Sequence, residues 1–227
     1  IPYVVIVQVF GFKGEFAGEK AMTEVLILDA GNVAMKFFKM KACIRLAASS
    51  PYSPQEVQDI IATKLEKQLE SGQMSESAFC NAVLHDIKSS LTVPDVMRIW
   101  GNIITPNPYI DRYVDQLIKR GVRIAILSNT NGIHWPYIMD VPVFVKLQHY
   151  GAPFILSHEV HASKPDRRIF DVALERCKIE ANQALYVDDI MQYVEVARSL
   201  GMKSEQYDCT RNHPSRFEEI LKTHDLL

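Results

Sequence analysis

The chain has 227 residues, of which 48% are hydrophobic and 23% charged, with a net charge of −2. That is enough for one α/β domain, or a core plus a small insert. The charges are scattered, which excludes the basic footprint of a nucleic-acid binder, and no apolar run approaches the roughly 20 residues needed to span a bilayer.

In chain order, Ile1–Phe10 is apolar and rich in β-formers, but it lacks a basic leader and runs into the mixed segment Gly11–Lys20. An extra strand or a non-native extension is expected over residues 1–22. Val25–Leu28 is a short apolar run that stops at Asp29-Ala30-Gly31, the habit of a buried parallel strand. From about residue 38 to 108 no convincing strand is found. Gln55–Leu69 reads as an amphipathic helix, with Ser53 as its cap and Pro54 in its first turn. Ser75–Ile87 and Pro94–Trp100 read as two more. Ile110–Arg120 carries Ile110, Val114, Leu117 and Ile118 at helical spacing and ends at Gly121. Arg123–Leu127 is a second strand, stopping at Ser128-Asn129-Thr130-Asn131, and Phe154–Leu156 a third. Pro165 opens a helix with Ile169, Phe170, Ala173 and Leu174 on one face. Ala184–Val187 is a fourth strand, ending at Asp188-Asp189. Val194, Ala197 and Leu200 mark a further helix, and Pro214–Lys222 the last.

Strand–helix alternation of this kind predicts an α/β fold, a Rossmann-like parallel sheet flanked by helices. Its core takes residues 23–37 and 109–227, and residues 38–108 form a small helical cap inserted after the first core strand. Cys43, Cys80, Cys177 and Cys209 are far apart and form no CxxC pair. They read as reduced, mostly buried thiols of a reducing, cytoplasmic compartment, and a zinc site lacks its usual close ligand pairs.

Ligands of open parallel sheets bind outside the carboxyl ends of the strands. Four segments place reactive residue types there: Asp29 after the first strand, Ser128 and Asn129 after the second, Lys164 ahead of a helix after the third, and Asp188 and Asp189 after the fourth. Each alone is weak, since an Asp after a strand is often only a turn or a cap. Together, in this order, VLILDAGNV, AILSNTN, SKPDRRIF and LYVDD resemble the four motifs of the haloacid dehalogenase superfamily. The similarity is closest to the branch with an Asp-x-Gly-Asn-Val signature, which holds sugar-phosphate phosphatases and relatives of the phosphatase domain of epoxide hydrolases.

The resemblance implies a Mg2+-dependent phosphatase. Asp29 is then the nucleophile that forms an aspartyl-phosphate. Mg2+, a hard cation, is held by Asp29, the backbone carbonyl of Gly31 and Asp189, with Asp188 orienting a water or Lys164, or exchanging roles with Asp189. Ser128 and the N–H of Asn129 hold phosphate oxygens, and Lys164 brings positive charge to phosphate and nucleophile. Asn32 either holds the loop or a water or has a purely structural turn role. The expected substrate is a small phosphorylated metabolite such as a sugar phosphate, with phosphotyrosine in a phosphoprotein as the alternative. The sequence sets no oligomeric state.

Two departures qualify the expectation. Many superfamily phosphatases carry a second Asp two residues after the nucleophile as general acid–base, and here that position is Gly31. Three readings stay open: an ester with an acidic leaving group, a proton from elsewhere such as His134 or a water, or a degraded binding protein on the same fold. Tyr193 stands where relatives often have Asn. Plainer roles are expected for Met35, Met40 and Met97 as packing, for His134 and Trp135 as loop or packing, for Phe37, Phe38 and Trp100 as cap packing, and for Arg167 and Arg168 as a solvated helix face.

Overall fold

A computed structural model describes residues 22–227. The strand or extension expected ahead of Met22 lies outside the described residues. From β1 (Val25–Leu28) the chain passes to a short strand, β2 (Met35–Phe37). It then leaves the sheet for α1 (Lys39–Ala47), α2 (Pro54–Ile60), α3 (Glu66–Glu70), α4 (Glu76–Asp86) and α5 (Val93–Gly101), and returns along β3 (Ile104–Pro106). The remainder alternates: α6 (Pro108–Lys119), β4 (Arg123–Ser128), α7 (Trp135–Met139), α8 (Pro142–His149), β5 (Phe154–Leu156), α9 (Ser157–Val160), α10 (Arg167–Cys177), β6 (Ala184–Asp188), α11 (Met191–Ser199), β7 (Lys203–Gln206) and α12 (Pro214–Thr223).

The main sheet has five strands in the order β5-β4-β1-β6-β7, every pair parallel. Side chains alternate across it. Leu26, Leu28, Ile124, Ile126, Leu185 and Val187 enter one buried layer, while Val25, Ile27, Ala125, Leu127, Ala184 and Tyr186 enter the other. Both faces are covered by helices, which is why these strands read as unbroken apolar runs. β1 is central, and the chain crosses to β4 on one side and to β6 on the other. Residues following these three strands therefore share one edge.

The five inserted helices bury a cluster of their own, including Leu46, Val57, Phe79, Val83, Val96 and Trp100. Their starts follow local chemistry. The Ser53 side chain accepts from the Glu56 N–H while Glu56 returns a bond to the Ser53 N–H, and Thr92 and Asp95 form the same reciprocal box. Ser75 caps α4 through the Ala78 N–H. Between α2 and α3, residues Ile61–Leu65 form a π-helical turn, so residues 54–70 make one continuous rod. In an α-helix of 3.6 residues per turn, a four-residue step drifts about 40° around the axis. A wider turn removes that drift, and Gln58, Ala62, Glu66 and Glu70 end on one side, lining a single cavity.

The expectation that residues 38–108 hold no strand is corrected by β3, which pairs antiparallel with β2 through Met35↔Pro106 and Phe37↔Ile104. These two strands stand at the root of the insertion, where the chain leaves and returns. β2 and β7 are likewise unforeseen strands; the sequence of β7, Lys-Ser-Glu-Gln, has none of the composition of a buried strand, because it pairs at the sheet edge. The four cysteines are free thiols, with Cys43, Cys80 and Cys177 buried. Among the described residues no helix is long and apolar enough to cross a membrane.

Candidate active site

Asp29 is the first residue past the central strand, and its N–H donates to the Val187 carbonyl at 2.9 Å, which sets it beside the end of β6. Lys164 reaches the same point from the segment ahead of α10. Its Nζ donates to Asp29 Oδ1 at 2.5 Å, to Asp188 Oδ2 at 2.7 Å and to the Leu127 carbonyl at 3.2 Å. An ammonium has three donors, and all three are spent. The lysine is 4% exposed and Asp188 is 0% exposed. The Tyr186 hydroxyl also donates to Asp188 Oδ2, and the Ile190 N–H donates to Asp188 Oδ1 at 2.8 Å. Both Asp188 oxygens are thus engaged in holding Lys164 and the turn behind it.

Asp189 is placed differently. Gln206 Nε2 pins its carbonyl at 2.8 Å, and Asn32 Nδ2 donates to its Oδ2 at 3.1 Å. Among the described residues its Oδ1, like Asp29 Oδ2, has no hydrogen-bond partner. Asn32 takes a left-handed conformation with φ 52° and accepts the Phe37 N–H at 3.2 Å. It therefore holds the loop after β1 and orients Asp189. Asn129 clamps Lys164: its Oδ1 accepts the Lys164 N–H at 2.8 Å and its Nδ2 donates to the Lys164 carbonyl at 3.0 Å. Ser128 ends β4 beside them and is 3% exposed.

Asp29, Asp188 and Asp189 meet one ammonium, an excess of negative charge. Burial raises the Asp29 carboxyl to about 7 against the opposing pull of Lys164, with Asp188 and Asp189 adding to the rise. Burial likewise raises Asp189, Asn32 opposing and Asp188 adding. For Lys164, burial works against the ammonium, but Asp188 and Asp29 outweigh it and hold its pKa above the ordinary lysine value. The site as built favours an additional cation.

A cavity of about 440 Å³ opens above these groups. Its floor includes Asp29, Gly31, Asn32, Ser128, Asn129, Lys164, Asp188 and Asp189, so every site residue expected from the sequence is brought to one place. Its roof comes from the insertion: Lys39, Gln58, Ala62, Glu66, Lys67 and Glu70. Tyr193 lines one wall, and Lys164 Nζ lies 5.2 Å from its ring centroid. The roof residues were not foreseen. The four-residue repeat Gln58-Ala62-Glu66-Glu70 was the available signal, hidden because a regular helix would have spread it.

His134 is not free to supply a proton. It is 2% exposed, with Nδ1 2.9 Å from Asn131 Nδ2 and Nε2 3.0 Å from the Trp100 carbonyl. Only a neutral ring, protonated on Nε2, satisfies both partners. Burial pushes its pKa down to about 3, Trp100 opposing and Lys39 adding. It stacks on Trp100 at a centroid distance of 5.8 Å and joins core to insertion. Trp100 is buried in the insertion, Phe38 is 44% exposed and Phe37 lines the cavity. Arg167 and Arg168 are solvated and paired with Asp171 and Asp166.

A family model described as haloacid dehalogenase-like hydrolase matches residues 25–205. The chain belongs to that family. The resemblance carried by the four motifs therefore holds at the family level, and the five-stranded parallel sheet is that of the haloacid dehalogenase-like hydrolases. A D-ribitol-5-phosphate phosphatase from Bacteroides thetaiotaomicron is 22% identical over 197 residues, covering 82% of this chain and 92% of that protein. Acyl-CoA dehydrogenase family member 10 of Mus musculus is 25% identical over 115 residues, half of this chain but only 10% of that much longer protein. Among solved structures, a haloacid dehalogenase family enzyme from Bacteroides thetaiotaomicron, in complex with magnesium and inorganic phosphate, superposes with a TM-score of 0.73. It is 20% identical, covering 86% of this chain and 99% of that one, a likeness that establishes the fold.

Proposed function

We propose that this haloacid dehalogenase-like hydrolase is a Mg2+-dependent phosphatase of small phosphate monoesters, with Asp29 as the covalent nucleophile. One observation carries the reading: Lys164 Nζ bridges Asp29 and Asp188 at 2.5 and 2.7 Å on the floor of a roofed cavity. A buried carboxylate at the end of the central strand, steadied by one ammonium and crowded by further acids, is a nucleophile that needs a cation before it can face a phosphate.

The donors present suit magnesium. Asp29 and Asp189 each keep an oxygen without a protein partner, and the Gly31 carbonyl lies on the same loop. Among the described residues no three His, Cys, Asp or Glu side chains form a ready cage. Two carboxylates, one carbonyl and waters are the ligand set that Mg2+ prefers. Bound there, the ion supplies positive charge between nucleophile and phosphate. Asp188, saturated by Lys164, Tyr186 and Ile190, serves as the anchor and not as a ligand.

The chain's own groups do the rest. An Asp29 oxygen attacks phosphorus in line. The Ser128 hydroxyl and the Asn129 N–H receive phosphate oxygens, and Lys164 offsets charge on nucleophile and phosphate. Asn129 fixes Lys164 through its two backbone bonds. The insertion covers the site as a cap and shields it from bulk solvent. Its polar roof of Lys39, Gln58, Glu66 and Glu70 suits a hydroxyl-rich alcohol better than the apolar ring of phosphotyrosine. The relative named for ribitol phosphate supports the same choice.

The test is hydrolysis of p-nitrophenyl phosphate and a panel of sugar and polyol phosphates, with Mg2+ and with chelator. Turnover should require the cation and fall by roughly 10³-fold or more in Asp29→Asn, as removal of a nucleophile does. Equal rates for wild type and Asp29→Asn would end the proposal.

A further inference from the structure

Cleaving an ester of an ordinary alcohol needs a proton for the departing oxygen, and the floor of the cavity has none to give. Lys164 has spent all three N–H groups. Asp188 is saturated, His134 is locked neutral by Asn131 and Trp100, and Gly31 has no side chain. Asp189 belongs to the proposed cation. The roof holds two carboxyls one turn apart. Glu66 is taken: Lys39 Nζ lies 2.6 Å from its Oε1 and 2.7 Å from its Oε2. Glu70 lines the same cavity, and among the described residues its side chain makes no hydrogen bond or ion pair. The π-turn at Ile61–Leu65 is what aims it there.

We propose that Glu70, carried by the insertion and not by the core, is the general acid–base of the reaction, which rests on the phosphatase reading above. As an Asp29 oxygen bonds to phosphorus, the bond from phosphorus to the leaving oxygen breaks, and that oxygen takes the Glu70 proton. This yields the alcohol, the aspartyl-phosphate and a Glu70 carboxylate. Water then gives a proton to Glu70 while its oxygen bonds to phosphorus and the bond to Asp29 breaks. Phosphate leaves, and both carboxyls return to their starting states.

The surroundings suit the task. Burial and the neighbouring Glu66 raise the Glu70 carboxyl to about 7, while Lys39 and Lys164 oppose the rise. Of the other titratable groups lining the cavity, Lys67 lies on its own helix, Tyr193 of α11 on the wall, and Asp29, Asp188, Asp189 and His134 on the core side. An acid poised near neutrality can both give and take a proton. The proposal also ties chemistry to the seating of the insertion: the site is complete only with the roof in place.

The experiment uses the full chain with Mg2+ and a series of esters, from nitrophenyl through phenyl to alkyl phosphates. In Glu70→Gln the loss should steepen along the series as the leaving oxygen becomes more basic, reaching about 10²–10⁴-fold for alkyl esters. The alkaline limb of kcat near neutral pH, set by loss of the Glu70 proton, should vanish with it. A merely structural role would lower every ester alike. Uniform loss, or none, overturns the inference while leaving the phosphatase reading standing. A wild-type chain that turns over no ester at all overturns both.

Discussion

Replacing Lys164 with methionine removes one charge and keeps most of the side-chain volume, so its effect is almost wholly electrostatic. The lysine is 4% exposed and ties Asp29 to Asp188. Deleting one partner of a buried ion pair costs about 3–5 kcal/mol, because the remaining charge is left buried. For a domain of this length that is a fall in melting temperature of roughly 6–20 °C. Protonation of Asp29 relieves part of it, which gives the loss a pH signature. Asp29 is an acid whose folded-state pKa, about 7, already lies above its ordinary value. Such a group contributes stability at low pH that is lost as pH rises through the folded value. Without Lys164 the folded value rises further, so the gap between variant and wild type widens by up to about 1.4 kcal/mol per pH unit above pH 7. Urea denaturation followed by circular dichroism, with chelator present, should therefore show a larger deficit near about pH 8.5 than near about pH 5.5. A deficit under about 1 kcal/mol, or one equal at both pH values, would refute the reasoning.

Other perturbations test the frame around the site. The His134 pKa is pushed down to about 3 by burial, so the unfolded chain binds a proton there that the folded one does not. Wild-type stability should fall by about 1.4 kcal/mol for each pH unit below about 6.5 on this account, and His134→Gln should flatten that limb; identical slopes would remove His134 as its cause. Gly72 has φ +69°, and a Cβ there would lie 2.5 Å from the His158 carbonyl oxygen and 2.7 Å from His161 Nδ1. Gly72→Ala should cost roughly 2–4 kcal/mol, read as a lower urea midpoint at unchanged slope; an unchanged midpoint would show that the turn between α3 and α4 does not press on α9 as the geometry requires.

Elements with local signals were legible beforehand. The helices starting at Ser53 and Ser75 were marked by residues whose side chains cap them. α1, α7, α8 and α9 were missed, and all four begin without a side-chain cap bond. β3 was missed because three residues ending in proline have no pattern of their own, and only the partner strand makes them a strand. The floor of the site was legible because strand ends collect on one edge of a parallel sheet. The roof was not, because Glu66 and Glu70 look like ordinary solvated charges until a π-turn brings them into line.

Taken alone, the order of apolar runs and amphipathic segments determined the parallel sheet, and with it the neighbourhood of Asp29, Ser128, Lys164, Asp188 and Asp189. Tertiary structure alone decided the division of labour: Asp188 saturated by the lysine, Asp189 left open beside Asn32, His134 locked in packing, Glu70 turned inward. Periodicity reports which face of one element is apolar. It carries nothing about contacts of 3 Å between residues 157 positions apart, such as Asn32 and Asp189, and these separate one carboxylate's role from the next.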